Sequence, residues 1–254
     1  MQYEAERGYL ILGTKPYIEC AETLALSLRH WHSDVKICLL TDIEHKNTIF
    51  DFVKQLPWGN TGGWSNDWQV YHASPFHETI KIEADMIVSG PVDHWWSHFR
   101  KLPVWISTGC SNQYGKSSPA RYYRQIFDKN NLQDTYNAIT YWRVSQQAQE
   151  FFRNVRKCFD NWNEIKTEIH GSQEEPANTD LIYALLGENY VTPGYGPQIV
   201  HMKQHILGTT TEQWDDELVW EIDNGVLRIN GHSQSGFVHY QRKQLAKEFG
   251  KYYA

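Results

Sequence analysis

Residues 79–90 read Thr79-Ile80-Lys81-Ile82-Glu83-Ala84-Asp85-Met86-Ile87-Val88-Ser89-Gly90. Two acids, Glu83 and Asp85, interrupt an apolar, β-branched run. Such a run predicts a strand, and alternation puts both carboxylates on one face with the small Ala84 on the other. Ile80, Ile82, Met86, Ile87 and Val88 mark the strand as central rather than as a solvated edge. A carboxylate desolvated there is costly unless something pairs with it. A divalent cation at the end of the strand satisfies both acids. Hard oxygen ligands select Mg²⁺ or Mn²⁺, and an added imidazole tilts the choice toward Mn²⁺.

Several histidines offer that imidazole. His239 lies in Gly236-Phe-Val-His-Tyr-Gln-Arg-Lys243, a short apolar strand followed by cations, and His201 lies in Gln198-Ile-Val-His-Met-Lys203. Each pairs a strand-end His with a Lys two to four residues on, the combination a metal–diphosphate site uses. The cations after His239 favour it, and His201 competes. The i,i+4 pairs His94/His98 and His201/His205 lack the Glu that a zinc hydrolase places after its first His, so they read as coincidence.

Around this core the chain alternates strands and helices. Tyr9–Leu12 is a short strand, Gly13–Pro16 turns, and Ile18, Ala21, Ala25 and Leu28 give a helix its apolar stripe. Val35–Leu40 is a second strand, so residues 9–40 form a βαβ unit and predict a parallel sheet. Residues 57–66 are a Gly-rich, aromatic loop, and Pro91 opens an aromatic helix through Phe99. Strands follow at Val104–Ser107 and Asn137–Trp142, and helices at Ala148–Phe159 and Ala177–Leu186. Asp223-Asn-Gly between apolar runs predicts a hairpin. Asn178-Thr-Asp180 opens the helix after Pro176; it either caps that helix or faces a cleft.

The chain has 254 residues, without repeats or a clear linker, and reads as one compact domain over 1–254, with halves 1–90 and 91–254. Eleven Trp and fifteen Tyr suit both a Trp-rich core and a sugar-binding cleft. A net charge of −6 with no Lys/Arg block gives no support to nonspecific nucleic-acid binding. Cys20, Cys38, Cys110 and Cys158 are far apart and read as buried free thiols. With no signal-peptide pattern and no apolar run near the about 18 residues of a membrane span, the expectation is a cytoplasmic protein. There is no Walker A sequence and no G-x-G-x-x-G, which removes the anchor for kinase and nicotinamide-dehydrogenase readings.

The ordered set Leu10–Tyr17, Leu39–Asp42, Thr79–Val88, Tyr136–Tyr141, Asn178–Asp180 and Val238–Tyr240 resembles the GT-A fold glycosyltransferases. In style it is similar to the family 8 (glycogenin and galactosyltransferase-like) sugar-nucleotide transferases, and in its compactness to small phage-type members. The resemblance implies an α/β, Rossmann-type mixed central sheet flanked by helices. It implies a metal-dependent, retaining transferase that moves a hexose or pentose from a nucleotide-diphosphate sugar, a UDP-sugar, to a hydroxyl. Asp85, Glu83 and His239 would hold Mn²⁺ or Mg²⁺, with Glu83 where the family has Asp. Thr14, Tyr17 and Asp42 would hold base and ribose, and Lys243 would contact phosphate. Asn137, Asn178 and Asp180 would line the donor-sugar and acceptor pocket. The His-x-x-Gly-x-x-Lys pattern of the family is not intact at residue 239.

Two acceptors stay open: a glycan, or a hydroxymethylated pyrimidine in DNA reached through a groove of Arg121, Arg124, Arg153, Arg156 and Lys157. A non-catalytic sugar- or nucleotide-binding module is the alternative from another class, and a nucleotidyltransferase is a third. The oligomeric state is not legible.

Overall fold

Alternate residues of the first strand serve opposite cores. The computed structural model describes residues 3–62, 66–115, 124–171, 177–190, 196–205, 212–214, 219–240 and 242–254. In it Tyr9 and Ile11 join one hydrophobic cluster while Leu10 joins another. The neighbouring strand divides the same way, with Leu39 on one side and Cys38 and Leu40 on the other. Period two with both faces apolar marks a sheet covered by helices on each side.

In chain order the strands are β1 (Ala5–Leu12), β2 (Ile37–Thr41), β3 (Phe52–Gln55), β4 (Phe76–Glu83), β5 (Met86–Ser89), β6 (Val104–Thr108), β7 (Thr135–Arg143), β8 (Ile199–His201), β9 (Lys203–His205), β10 (Glu212–Trp214), β11 (Trp220–Asp223), β12 (Val226–Ile229), β13 (His232–Ser233) and β14 (Gly236–His239). The helices are α1 (Ile18–Trp31), α2 (Val70–Ala73), α3 (Trp95–Phe99), α4 (Arg124–Lys129), α5 (Gln146–Asp160), α6 (Trp162–Ile165), α7 (Thr179–Leu186) and α8 (Gln244–Tyr253).

The central sheet runs β3-β2-β1-β4-β7-β6. Its first four strands are parallel, β7 is antiparallel to β4, and β6 is antiparallel to β7. Leu24, Leu28 and Phe249 of α1 and α8 cover the face of Tyr9 and Ile80. Phe151, Phe152 and Leu181 of α5 and α7 cover the face of Leu10 and Trp142. The chain lays β2 and β3 on one side of β1, then returns to the other side for β4. Such a reversal opens a crevice outside the carboxyl ends of the strands, where open α/β sheets take their ligands. The pairing of Leu12 with Glu83 puts the ends of β1 and β4 side by side at that point.

One expectation needs correction. The run 79–90 is not a single strand: β4 stops at Glu83, Ala84 and Asp85 turn, and β5 starts at Met86. β5 then leaves the central sheet and pairs antiparallel with β14, which pairs in parallel with β8. Met86, Ile87 and Val88 are fully buried because they build this second sheet under α1. The turn takes Asp85 out of the ladder and leaves it at the crevice. The aromatic helix after Pro91 is also shorter than expected, confined to Trp95–Phe99. β3 had no alternating pattern to announce it, since all its residues are half-buried or exposed. The hairpin is present, closed by Asn224 and Gly225 at φ 48° and 78°. The four cysteines form no disulfide, as expected, though Cys110 and Cys158 are only half-buried. Among the described residues no helix is long and apolar enough to cross a membrane.

Gly8 in β1 carries a packing requirement. A Cβ there would lie 2.3 Å from the tip of the Phe76 ring, which is fully buried. Gly8→Ala is expected to destabilise the fold by about 1–3 kcal/mol through overpacking, seen as a lower midpoint in denaturant. An unchanged midpoint would show that the Phe76 ring yields freely.

Candidate functional site

The carboxyl end of β4 collects three potential ligands. Glu83 is the last residue of β4, Asp85 sits in the following turn, and His239 ends β14, whose ladder with β5 pairs His239 with Met86. One ligand atom from each lies within 4.8 Å of the others. His239 Nε2 is 3.0 Å from Asp85 Oδ1, and its Nδ1 is 3.5 Å from Glu83 Oε2. The imidazole is nearly buried, while Asp85 and Glu83 keep 17% and 29% of their side chains exposed, so the carboxylates form the open side. His201, the competing candidate, lies one strand further, paired with His239 in register. Its ring is 5.7 Å from that of His239, and it is not part of the three-residue cluster.

The electrostatics of this pocket are unbalanced. Asp67, Glu83, Asp85 and Asp180 share one fully buried ammonium, Lys81. Burial pushes the Glu83 carboxyl up to about 7, against the lowering pull of Lys81 and His239. Burial opposes ionisation of Asp85 too, but the attraction and hydrogen bond of His239 outweigh it and hold that carboxyl below its usual range. Excess negative charge, two carboxylates and one imidazole within reach of one point fit a divalent cation such as Mn²⁺ or Mg²⁺.

The residues expected at the nucleotide end gather on the same rim. Asp42, just past β2, accepts hydrogen bonds from the Lys15 backbone N–H at 2.8 Å and from Asn60 Nδ2 at 2.7 Å. Thr14 precedes the 3-10 turn Lys15–Tyr17. Lys243 Nζ sits 3.6 Å above the ring of Tyr17, a cation–π contact that holds the ammonium at the mouth of the crevice. Asn137 and Asp180 are brought together, the Asn137 backbone N–H donating to Asp180 Oδ1 at 2.6 Å. Asn178 takes the local role: its side chain accepts from Leu181 N–H at 3.2 Å and caps α7. Of the cations proposed for a groove, Arg121 and the side chain of Arg124 lie outside the described residues. Arg156 lies over the rings of Trp58 and Trp68, 5.0 and 4.8 Å from their centroids.

Comparison with models of known protein families finds no match, and comparison with curated proteins finds none either. Solved structures do match. The galactosyltransferase LgtC, crystallised with donor and acceptor sugar analogs, aligns with a TM-score of 0.55 at 8% identity over 96% of this chain and 95% of its own. The bifunctional glycosyltransferase WbbM aligns with a TM-score of 0.53 at 11% identity over 99% of this chain and 50% of its own. The fold is the GT-A glycosyltransferase fold. This chain spans about half the length of WbbM, and 45% of the glycosyltransferase GlyE of Streptococcus pneumoniae.

Within this GT-A sheet, three residues of the site went unread in the sequence. Lys81 faces the same way as Glu83 and reaches Asp67 Oδ1 at 2.7 Å and the Asn137 carbonyl at 3.1 Å. Its period-two relation to Glu83 was the available signal. Asp67, in the 3-10 turn before α2, had none. Tyr136, in β7, places its hydroxyl on His239 Nδ1 and lies nearly parallel to that ring. The contact joins residues 103 positions apart, which no local pattern encodes. A phenol both donates and accepts, so it can serve either neutral tautomer and fix the ring orientation. Tyr136→Phe is therefore expected to weaken Mn²⁺ binding about 10- to 100-fold with the fold intact, as read by calorimetric titration. Unaltered affinity would remove Tyr136 from the support of the site.

Proposed function

We propose that this chain is a metal-dependent glycosyltransferase that moves a sugar from a nucleotide-diphosphate sugar, a UDP-sugar, to a hydroxyl of an acceptor glycan. The observation that carries the reading is the convergence of Glu83, Asp85 and His239 at the topological switch point of a GT-A sheet. A divalent cation bound there supplies Lewis-acid neutralisation of charge on the leaving diphosphate. Asp85, Glu83 and His239 hold it, and Tyr136 steadies His239. Lys243, held over the face of Tyr17, offers a positive charge to the phosphate. Thr14, Tyr17 and Asp42 hold the nucleoside, and Asn137 and Asp180 line the sugar pocket from the other wall. Retention of configuration is part of the same reading. The formal charge of −6 favours a glycan over DNA as acceptor.

A thermal-shift screen of nucleotides and nucleotide sugars, with and without Mn²⁺, tests this directly. UDP or a UDP-sugar should raise the melting temperature only when Mn²⁺ is present. Absence of any nucleotide shift with metal would refute the proposal.

Metal binding should also depend on pH. Glu83 is raised by burial, so the folded, metal-free chain holds a proton that the unfolded chain releases above about 4.3. Its stabilising contribution is full below that value and is lost as pH rises through about 7. A metal requires the ionised carboxylate and must displace that proton. Mn²⁺ affinity should therefore fall by up to about tenfold per pH unit below about 7. Titrations at successive pH values read this, and a flat profile across neutrality would mean that no proton leaves Glu83 when the metal binds.

A further inference from the structure

We propose that Trp58 is the stacking platform of the acceptor subsite and that the acceptor lays a saccharide ring on it. This rests on the glycosyltransferase reading and names the substrate class of its second subsite. Trp58 is the one exposed Trp among the described residues, with 46% of its surface open. It stands at the carboxyl-end rim of the sheet, in the loop after β3.

The loop is built to present it. Leu56, Pro57, Trp58 and Gly59 form a tight turn closed by the Gly59 N–H on the Leu56 carbonyl at 3.0 Å, with Pro57 and Trp58 at its centre. Gly59 leaves the turn at φ 73°, a conformation suited to glycine. Gln69, fully buried, accepts from the Trp58 N–H at 3.0 Å and donates to the Gly59 carbonyl at 2.9 Å. Asn60 ties the same loop to Asp42 at 2.7 Å. The indole is held in turn: Trp68 lies 4.8 Å from it at 43°, His72 meets it edge-on at 5.4 Å, and Arg156 caps both indoles. Trp68 follows Asp67, which is ion-paired to Lys81 beneath the carboxylates. The platform is thus one short packed path from the candidate metal ligands.

A half-exposed indole fixed this firmly keeps open apolar surface beside the Arg156 guanidinium, and its ordering has already been met by the fold. A sugar ring buries its C–H face against such a surface and leaves its hydroxyls to polar neighbours. A nucleobase stacks on the same surface, but the chain's excess of acids over bases, 30 against 24, opposes a nucleic-acid strand.

The test uses the full chain with UDP and Mn²⁺, its Trp indoles labelled with ¹⁵N and the Trp58 signal assigned by its loss in Trp58→Phe. Maltose, cellobiose, lactose and a single-stranded oligothymidylate are titrated separately. At least one disaccharide should move the Trp58 signal saturably. By intrinsic Trp fluorescence, Trp58→Ala should weaken that binding about tenfold, and Trp58→Tyr should retain most of it. No movement with any disaccharide, undiminished affinity in Trp58→Ala, or movement with the oligothymidylate alone would each overturn the proposal. The UDP–Mn²⁺ thermal shift of the wild type reads the donor site by itself, so failure there is distinct from failure at Trp58.

Discussion

Asp85→Asn is expected to lower sugar transfer on the order of 10³-fold and to abolish the response to Mn²⁺, because on the proposed reading it removes an anionic ligand of the cation that would neutralise the leaving diphosphate. The substitution keeps the size of the side chain. It leaves the backbone role of residue 85, whose carbonyl accepts from the Tyr240 N–H at 3.1 Å, unchanged. Asp85 lies in a turn outside the β4 ladder, so no strand pairing depends on its side chain. It is also the carboxylate whose pKa His239 holds below the usual range, so on the proposed reading it would be the charged member of the acidic pair facing the cation. Two readouts separate the role from a general loss of structure. Steady-state kcat/KM at saturating Mn²⁺ measures the chemistry, and paramagnetic resonance of free Mn²⁺ measures binding without turnover. Transfer within tenfold of wild type, or undiminished Mn²⁺ binding, would exclude Asp85 as the principal ligand.

How much of this was visible in the sequence depends on the range over which each feature is encoded. The βαβ start and the stripe of α5 were legible because each is a local periodicity that burial enforces. The acid pair was legible because its two residues stand out from Ile82 and Met86 on either side. The break at Ala84 was not, because an apolar strand that ends and an apolar strand that changes sheets have the same composition. What distinguishes them is the partner of β5, and that partner, β14, begins at Gly236. His239 is preferred to His201 for the cations that follow it; both end short apolar strands, and what separates them in the structure is that His239, not His201, belongs to the cluster with Glu83 and Asp85. Tyr136 and Asp67 lay beyond reach for the same reason: each acts on a residue far away in the chain, by a side-chain contact with no periodic trace. Asn178 is the converse case. Its cap on α7 is purely local, and the local reading describes it fully.

Lys81→Met is expected to destabilise the metal-free fold by about 3–5 kcal/mol, a large share of the stability of an ordinary domain. Lys81 is 1% exposed, and its ammonium is held by Asp67 Oδ1 at 2.7 Å and the Asn137 carbonyl at 3.1 Å. Asp67 in turn accepts from the Thr179 hydroxyl at 3.2 Å, at the start of α7. Burial opposes the charge on Lys81, yet the attraction of Asp67 and Glu83 keeps its pKa above the ordinary value. Methionine replaces the methylene stem but not the charge. It strands Asp67 as a buried carboxylate and takes from Glu83 its strongest source of charge compensation. The cost therefore comes from what is left unpaired more than from the pair itself. Lys81→Met combined with Asp67→Leu should recover most of the loss, because removing both charges together is close to neutral. Denaturant unfolding of the two single variants and the double variant in chelator measures the coupling as a double-mutant cycle. A single-variant loss under about 1 kcal/mol, or full additivity in the cycle, would mean that water or a shifted side chain already compensates Asp67. Lys81 would then have no part in holding the floor of the site together.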